Sequence, residues 1–249
     1  MAQLFDETIR ELRSYIKENL SKGIGRETRY SGNSSWPASG SRDIVLRADL
    51  GIELGSPGGE SVSFLMWTGD RSLVADGIIT LLGPDINECA PKNVPFGRVV
   101  LVKGSGFNAE NIYERYCEMD HLRYDVSLKG YMMRAVSQYM REWSRVSKEA
   151  INRGFSLVTL GGALIDKYRE LNYIDAVEII FVTSSKKEVR ELRGMGERVM
   201  KYINAMRKME EEISIDCDNC EYQTVCGEVD DLRKMRNSLK KTEKCRNPQ

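Results

Sequence analysis

The chain has 249 residues, of which 41% are hydrophobic and 30% charged, the balance of a soluble globular protein rather than a disordered or membrane-embedded one. Its 37 basic and 37 acidic side chains cancel, which excludes a general field drawing the whole molecule toward nucleic acid or an anionic membrane. No apolar run approaches the roughly 20 residues that span a bilayer. The first turns, with Asp6, Glu7, Arg10, Glu11 and Arg13 among the apolar positions, are unlike a signal peptide, so a cytoplasmic location without membrane contact is expected.

In chain order, Leu4, Phe5, Ile9, Leu12, Ile16 and Leu20 recur at helical spacing and predict an amphipathic helix over residues 3–21, stopped by Gly23 and Gly25. The Ser- and Gly-rich stretch Tyr30 to Arg42, with Trp36-Pro37 inside it, reads as a connector. Residues 43–102 hold short apolar and β-branched runs broken by Gly and Pro. Those beginning at Asp43, Ser61, Gly77 and Arg98 are predicted strands. The Gly55-Ser-Pro-Gly-Gly loop lacks the Lys and the spacing of a P-loop and reads as a plain turn. From Ala109 to Asn152 the period is helical, through Ile112, Tyr116 and Met119 and then Tyr131, Ala135, Tyr139, Met140 and Trp143, with Arg153-Gly154 as a terminating cap. A further helix is expected over Phe155 to Tyr168, starting after Thr159. A strand follows from Ala176, and a long charged helix runs from Lys186 to Glu212.

The six cysteines are Cys89, Cys117, Cys217, Cys220, Cys226 and Cys245, and in a reducing compartment they are thiols or metal ligands rather than disulfides. Cys217, Cys220 and Cys226 form a C-x2-C-x5-C arrangement, in which the first pair brings two thiolates to one metal from a single tight turn. Thiolates suit zinc or iron-sulfur chemistry, so spacing alone does not choose the metal. A second C-x2-C pair or a neighbouring histidine, as in a zinc ribbon, is absent, and His121 is the only histidine in the chain. It stands beside Asp120 and reads as a surface or capping residue rather than a base. Cys245 is the nearest remaining candidate for a fourth ligand; Cys89, Cys117, a non-cysteine donor or an open iron are the alternatives.

Ahead of the cysteines, a series of phrases resembles the catalytic β subunit family of carbon monoxide dehydrogenase/acetyl-CoA synthase. They are Glu53-Leu-Gly, Leu82-Gly-Pro-Asp-Ile, Pro95-Phe-Gly-Arg-Val-Val-Leu-Val, Arg145-Val-Ser-Lys-Glu-Ala-Ile-Asn-Arg-Gly-Phe and Gly161-Gly-Ala-Leu-Ile-Asp-Lys-Tyr. They occur in the family's order, over roughly residues 49–226. The resemblance implies a [4Fe-4S] cluster on Cys217, Cys220 and Cys226, with Cys220 in the position of the thiolate that bridges to nickel; Cys245 is added as fourth ligand only as the nearest remaining cysteine. Cys226 would be the next ligand at a shortened spacing. The family's C-G-C tripeptide, which holds the distal nickel, does not occur; Cys226-Gly227-Glu228 stands too early and lacks the second thiolate. A complete dinuclear nickel site is therefore not expected.

These readings give an α/β (α+β) fold, a mixed sheet with packed helices and a small C-terminal Cys-rich segment. The expected parts are 1–42 as N-terminal helix and connector, 43–212 as the acetyl-CoA-synthase-like body, and 213–249 as the iron-sulfur segment. The implied function is an iron-sulfur protein of one-carbon metabolism, partnered by a corrinoid or other one-carbon protein. No nucleophile–base pair or carboxylate dyad stands out in the sequence, so whether the chain is itself an enzyme is left open. The alternatives are a metal-stabilised protein-interaction module, or a zinc-dependent nucleic-acid binder using Lys234, Arg236, Lys240, Lys241, Lys244 and Arg246.

Overall fold

A computed structural model describes residues 3–32, 35–40, 51–55, 60–89, 93–136 and 140–211, together with 221, 222, 224, 225, 232 and 234. In chain order its elements are α1 (Asp6–Ser21), β1 (Gly25–Arg29), β2 (Gly51–Leu54), β3 (Ser61–Thr68), β4 (Ile78–Leu82), β5 (Asn93–Val94), β6 (Phe96–Gly104), α2 (Ile112–His121), β7 (Tyr131–Val136), β8 (Glu142–Ser147), α3 (Lys148–Asn152), α4 (Leu157–Arg169), β9 (Ile174–Val182) and α5 (Lys186–Glu211). The expected mixed α/β character is present.

The main sheet has five strands in the order β1-β4-β9-β6-β3. β4 runs parallel to β9 and β3 parallel to β6, while β6 and β9 are antiparallel. Every residue of β3 and the last seven of β9 are buried. Continuous apolar runs without alternation are what a sheet covered on both faces requires. On one face lie α1 and α5: Asp6 accepts a hydrogen bond from Thr68 at 2.7 Å, Arg13 grips Glu178 of β9, and a Cβ on Gly97 would sit 2.8 Å from Leu192 of α5. The opposite face meets α4, whose Gly161 lies against Ile79, and the second sheet.

That second sheet has the order β5-β2-β8-β7. It corrects the helical expectation for residues 131–147, because Tyr131–Val136 and Glu142–Ser147 are antiparallel strands. The positions that suggested a helix, Tyr131, Ala135, Tyr139 and Trp143, are spaced by four. Four is also an even number, so on a strand such residues share a face as well, and periodicity alone does not separate the two.

The helix expectations for α1, α2, α4 and α5 hold to within a few residues. α1 buries Ile9, Leu12 and Ile16, carries Asp6 and Glu7 in its first turn, where the helix dipole favours anions, and is followed by Gly23 at φ 71°. α4 is capped by Ser156, whose hydroxyl accepts from the Thr159 amide at 3.1 Å, so the helix starts before Thr159 rather than after it. Gly154, at φ 95°, ends the short α3 as the sequence suggested. Residues 25–29, which the sequence left unassigned, pair with β4 and form an edge of the main sheet.

Candidate functional site

The four cysteines expected to hold a metal, Cys217, Cys220, Cys226 and Cys245, lie outside the described residues. Their sequence neighbours do not. Tyr222, two positions after Cys220, and Val225, immediately before Cys226, are partly buried against the hydrophobic core, and Leu232 is fully buried in it. Tyr222 meets the last turns of α5, where the Lys208 ammonium stands 6.0 Å from its ring centroid, a cation–π distance. Burial, reinforced by Glu221, pushes the Tyr222 hydroxyl above its ordinary range. Sequence reading missed these three anchors because an isolated aromatic or aliphatic residue in a polar segment has no period to announce it.

The remaining thiols are placed differently. Cys89 follows the 3-10 turn Ile86–Glu88, half-buried against the core. Burial, with the carboxylates of Asp85 and Glu88, raises its thiol to about 11. Cys117 is exposed on α2 and is also raised, by desolvation first, partly opposed by a hydrogen bond with Tyr113. Among the described residues no group of three or more His, Cys, Asp or Glu is placed to hold a metal ion. His121 is exposed in the last turn of α2, its ring 5.2 Å from that of Tyr124, as expected of a surface residue.

The main internal electrostatic feature is a buried ionic cluster between the two sheets. Arg98 of β6 pairs with Glu142 of β8 at 2.5 Å, and their side chains are 2% and 0% exposed. Arg98 also donates to Ser63 of β3 at 3.1 Å, and the Ser144 hydroxyl donates to Glu142 at 3.3 Å. Asp120 and Arg123 are paired at 2.6 Å; Asp120 feels both partners of that ion pair, and Arg123 feels Glu142. Burial raises the Asp120 carboxyl, against the pull of Arg123 and Arg98. The buried hydroxyls of Tyr131 and Tyr168 complete the polar surroundings and are likewise pushed up by desolvation. Two guanidiniums face two carboxylates, and the Arg98–Glu142 pair ties β8 of the second sheet to β6 of the first.

The donor chemistry of the C-terminal segment fits an iron-sulfur cluster: three cysteines lie within ten residues, a fourth follows at Cys245, and the chain's one histidine belongs to α2. No helix among the described residues is long and apolar enough to cross a membrane. The profile of the CO dehydrogenase/acetyl-CoA synthase complex beta subunit family matches residues 39–189, that is, the body from before β2 into α5, ending ahead of the first clustered cysteine. The carbon monoxide dehydrogenase/acetyl-CoA synthase subunit alpha of Moorella thermoacetica is 27% identical over 176 residues, 68% of this chain and 23% of that protein. The acetyl-CoA decarbonylase/synthase complex subunit beta of Methanopyrus kandleri is 31% identical over 160 residues, 63% of this chain and 33% of that protein. The chain thus spans between about a quarter and a third of the length of these relatives. With more than half of its residues inside the family match, the chain belongs to the CO dehydrogenase/acetyl-CoA synthase complex beta subunit family.

Proposed function

We propose that this chain carries an iron-sulfur cluster, of the [4Fe-4S] type, on Cys217, Cys220 and Cys226 with Cys245 as fourth ligand, and works in one-carbon metabolism beside a corrinoid or other methyl- or CO-handling protein. The observation that carries the reading is the order of parts: a body belonging to this family leads through α5 directly into a C-x2-C-x5-C thiol group. When bound, such a cluster supplies one-electron transfer, with a potential set by ligand charge, hydrogen bonds to sulfur and exposure. The chain's own part is to supply the thiolates, which follow in sequence after α5, a 26-residue helix packed against β3 and β6 of the main sheet. The 249 residues contain no C-G-C tripeptide, so they supply no thiolate pair of that kind for a second nickel, and nickel bound to this chain is expected to be labile.

Anaerobic purification followed by iron, sulfide, nickel and zinc analysis with electron paramagnetic resonance tests the reading. The expected result is iron and sulfide in stoichiometric amounts, less of both in the Cys217→Ser, Cys220→Ser and Cys226→Ser proteins, and nickel absent or labile. Stoichiometric zinc without iron or sulfide would overturn it in favour of a metal-stabilised interaction module. Full cluster content in Cys245→Ser would reject Cys245 as a ligand.

A further inference from the structure

The buried ionic cluster between the sheets has more hydrogen-bonding capacity than its own members use. Arg98, 2% exposed, donates from Nε and Nη2 to the Ser63 hydroxyl at 3.2 and 3.1 Å and meets Glu142 through Nη2. Its Nη1 is buried with no hydrogen-bond partner among the described residues. Ser144 donates its hydroxyl hydrogen to Glu142 Oε1 at 3.3 Å, so the Tyr131 hydroxyl, 3.2 Å away, donates to Ser144. Glu142 Oε2 touches Arg98 at 2.5 Å as an ion pair yet accepts no hydrogen bond. Arg123 uses Nη2 on Asp120 at 2.6 Å and keeps a buried Nε without a partner.

Two donors and one acceptor are thus left over in one cluster. The groups that carry them are neighbours: the Asp120 carboxyl feels Arg123, Arg98 and Glu142, and the hydroxyl of Tyr168, a residue 2% exposed, feels all four charged groups. Main-chain groups do not fill the need, because β6 lies between β9 and β3, and β8 between β2 and β7, so their amides and carbonyls serve the strand ladders. Leaving a buried polar atom unpaired costs more than an ordinary hydrogen bond gains, so such atoms call for a guest. Its chemistry follows from the atoms. A simple anion accepts from the guanidiniums and has nothing to donate to Glu142, while a cation is repelled by Arg98 and Arg123. Water both accepts and donates, and buried waters typically make about three hydrogen bonds.

We propose that an internal water molecule is a fixed member of this cluster, accepting from Arg98 Nη1 and Arg123 Nε and donating to Glu142 Oε2. Through it the turn after α2 joins the ion pair that ties β6 to β8 in a single network. Asp120 and Arg123 are 26% and 12% exposed, against 2% and 0% for Arg98 and Glu142, so the water enters and leaves on the α2 side. None of these residues belongs to the cysteine segment, and the site stands apart from the iron-sulfur reading.

Oxygen-17 relaxation dispersion of water, which registers molecules held long enough to tumble with the protein, tests the site on the full chain. Wild type is compared with the double replacement Arg98→Met and Glu142→Leu, which removes two of the three contacts and fills the space with apolar atoms. The dispersion amplitude is expected to fall by the equivalent of a single water molecule, and to stay at the wild-type value in Glu18→Gln on the surface of α1. An unchanged amplitude in the double replacement, or an equal loss in Glu18→Gln, would overturn the proposal. A crystal structure of the wild-type chain reads the same position directly and decides the question if the double replacement does not fold. A water within hydrogen-bond distance of Arg98 Nη1 and Glu142 Oε2 is expected there; a protein group, an ion or no density between those atoms rejects the assignment.

Discussion

At the scale of single residues, the Arg98–Glu142 pair shows what burial does to a charge. Taking either group out of water is costly. The cost is offset here by the opposite charge at 2.5 Å and by hydroxyls from Ser63 and Ser144, so losing one member leaves the other stranded. Glu142→Ala is expected to destabilise the fold by about 3–5 kcal/mol, the range for breaking a buried pair. The double replacement Arg98→Met with Glu142→Leu should cost distinctly less, because no uncompensated charge remains. Urea unfolding followed by circular dichroism measures both, and equal losses for the single and the double replacement would remove the ionic explanation. In the sequence Arg98 reads as the charged start of an apolar strand. Nothing local says that its side chain is enclosed, since its counter-ion comes from a strand of another sheet.

At the scale of elements, α4 explains a feature that helix propensity alone would count against. Gly161 and Gly162 sit side by side within it, and each glycine costs a helix interior about 1 kcal/mol relative to Ala. A Cβ on Gly161 would lie 2.9 Å from Ile79 Cδ1, and one on Gly162 would lie 2.6 Å from the ring of Tyr30, itself tied to Asp166 by a 2.5 Å hydrogen bond. The absent side chains are what let the helix seat closely on β4 and on the segment after β1. Gly161→Val should therefore lower stability by about 2 kcal/mol through overpacking, despite replacing a poor helix former. A thermal midpoint equal to or above the wild type would show that the approach is looser than this. The same element scale holds the clearest limit of sequence reading: the four-residue spacing from Tyr131 to Trp143 fits one face of a helix or of a strand. Pairing of β7 with β8, and of β8 with β2, selects the strand.

At the scale of the whole molecule, the family body ends in α5 and the thiols begin just beyond it, which is the basis for expecting a protein partner that exchanges electrons or one-carbon groups with the chain. The chain's net charge is zero, so any such docking relies on local complementarity, and we expect it to be weak and to weaken further with salt. Anaerobic co-purification from native cells at low and at raised ionic strength checks this. Recovery of nucleic acid, or of partners with no role in one-carbon chemistry, would count against the reading. By itself the sequence determined the α/β class, four of the helices and the strands read from Ser61, Gly77, Arg98 and Ala176, because apolar period and capping residues are local properties of a chain; the strand read from Asp43 and the clustered cysteines lie outside the described residues. Tertiary structure alone decided that Tyr131–Val136 and Glu142–Ser147 pair as strands, that residues 25–29 close an edge of the main sheet, that Arg98 and Glu142 meet in the interior, and that Leu232 belongs to the core with Tyr222 packed against it. Each of these depends on which distant segment comes to lie alongside, and burial and pairing are set by that neighbour rather than by the residues next in the chain.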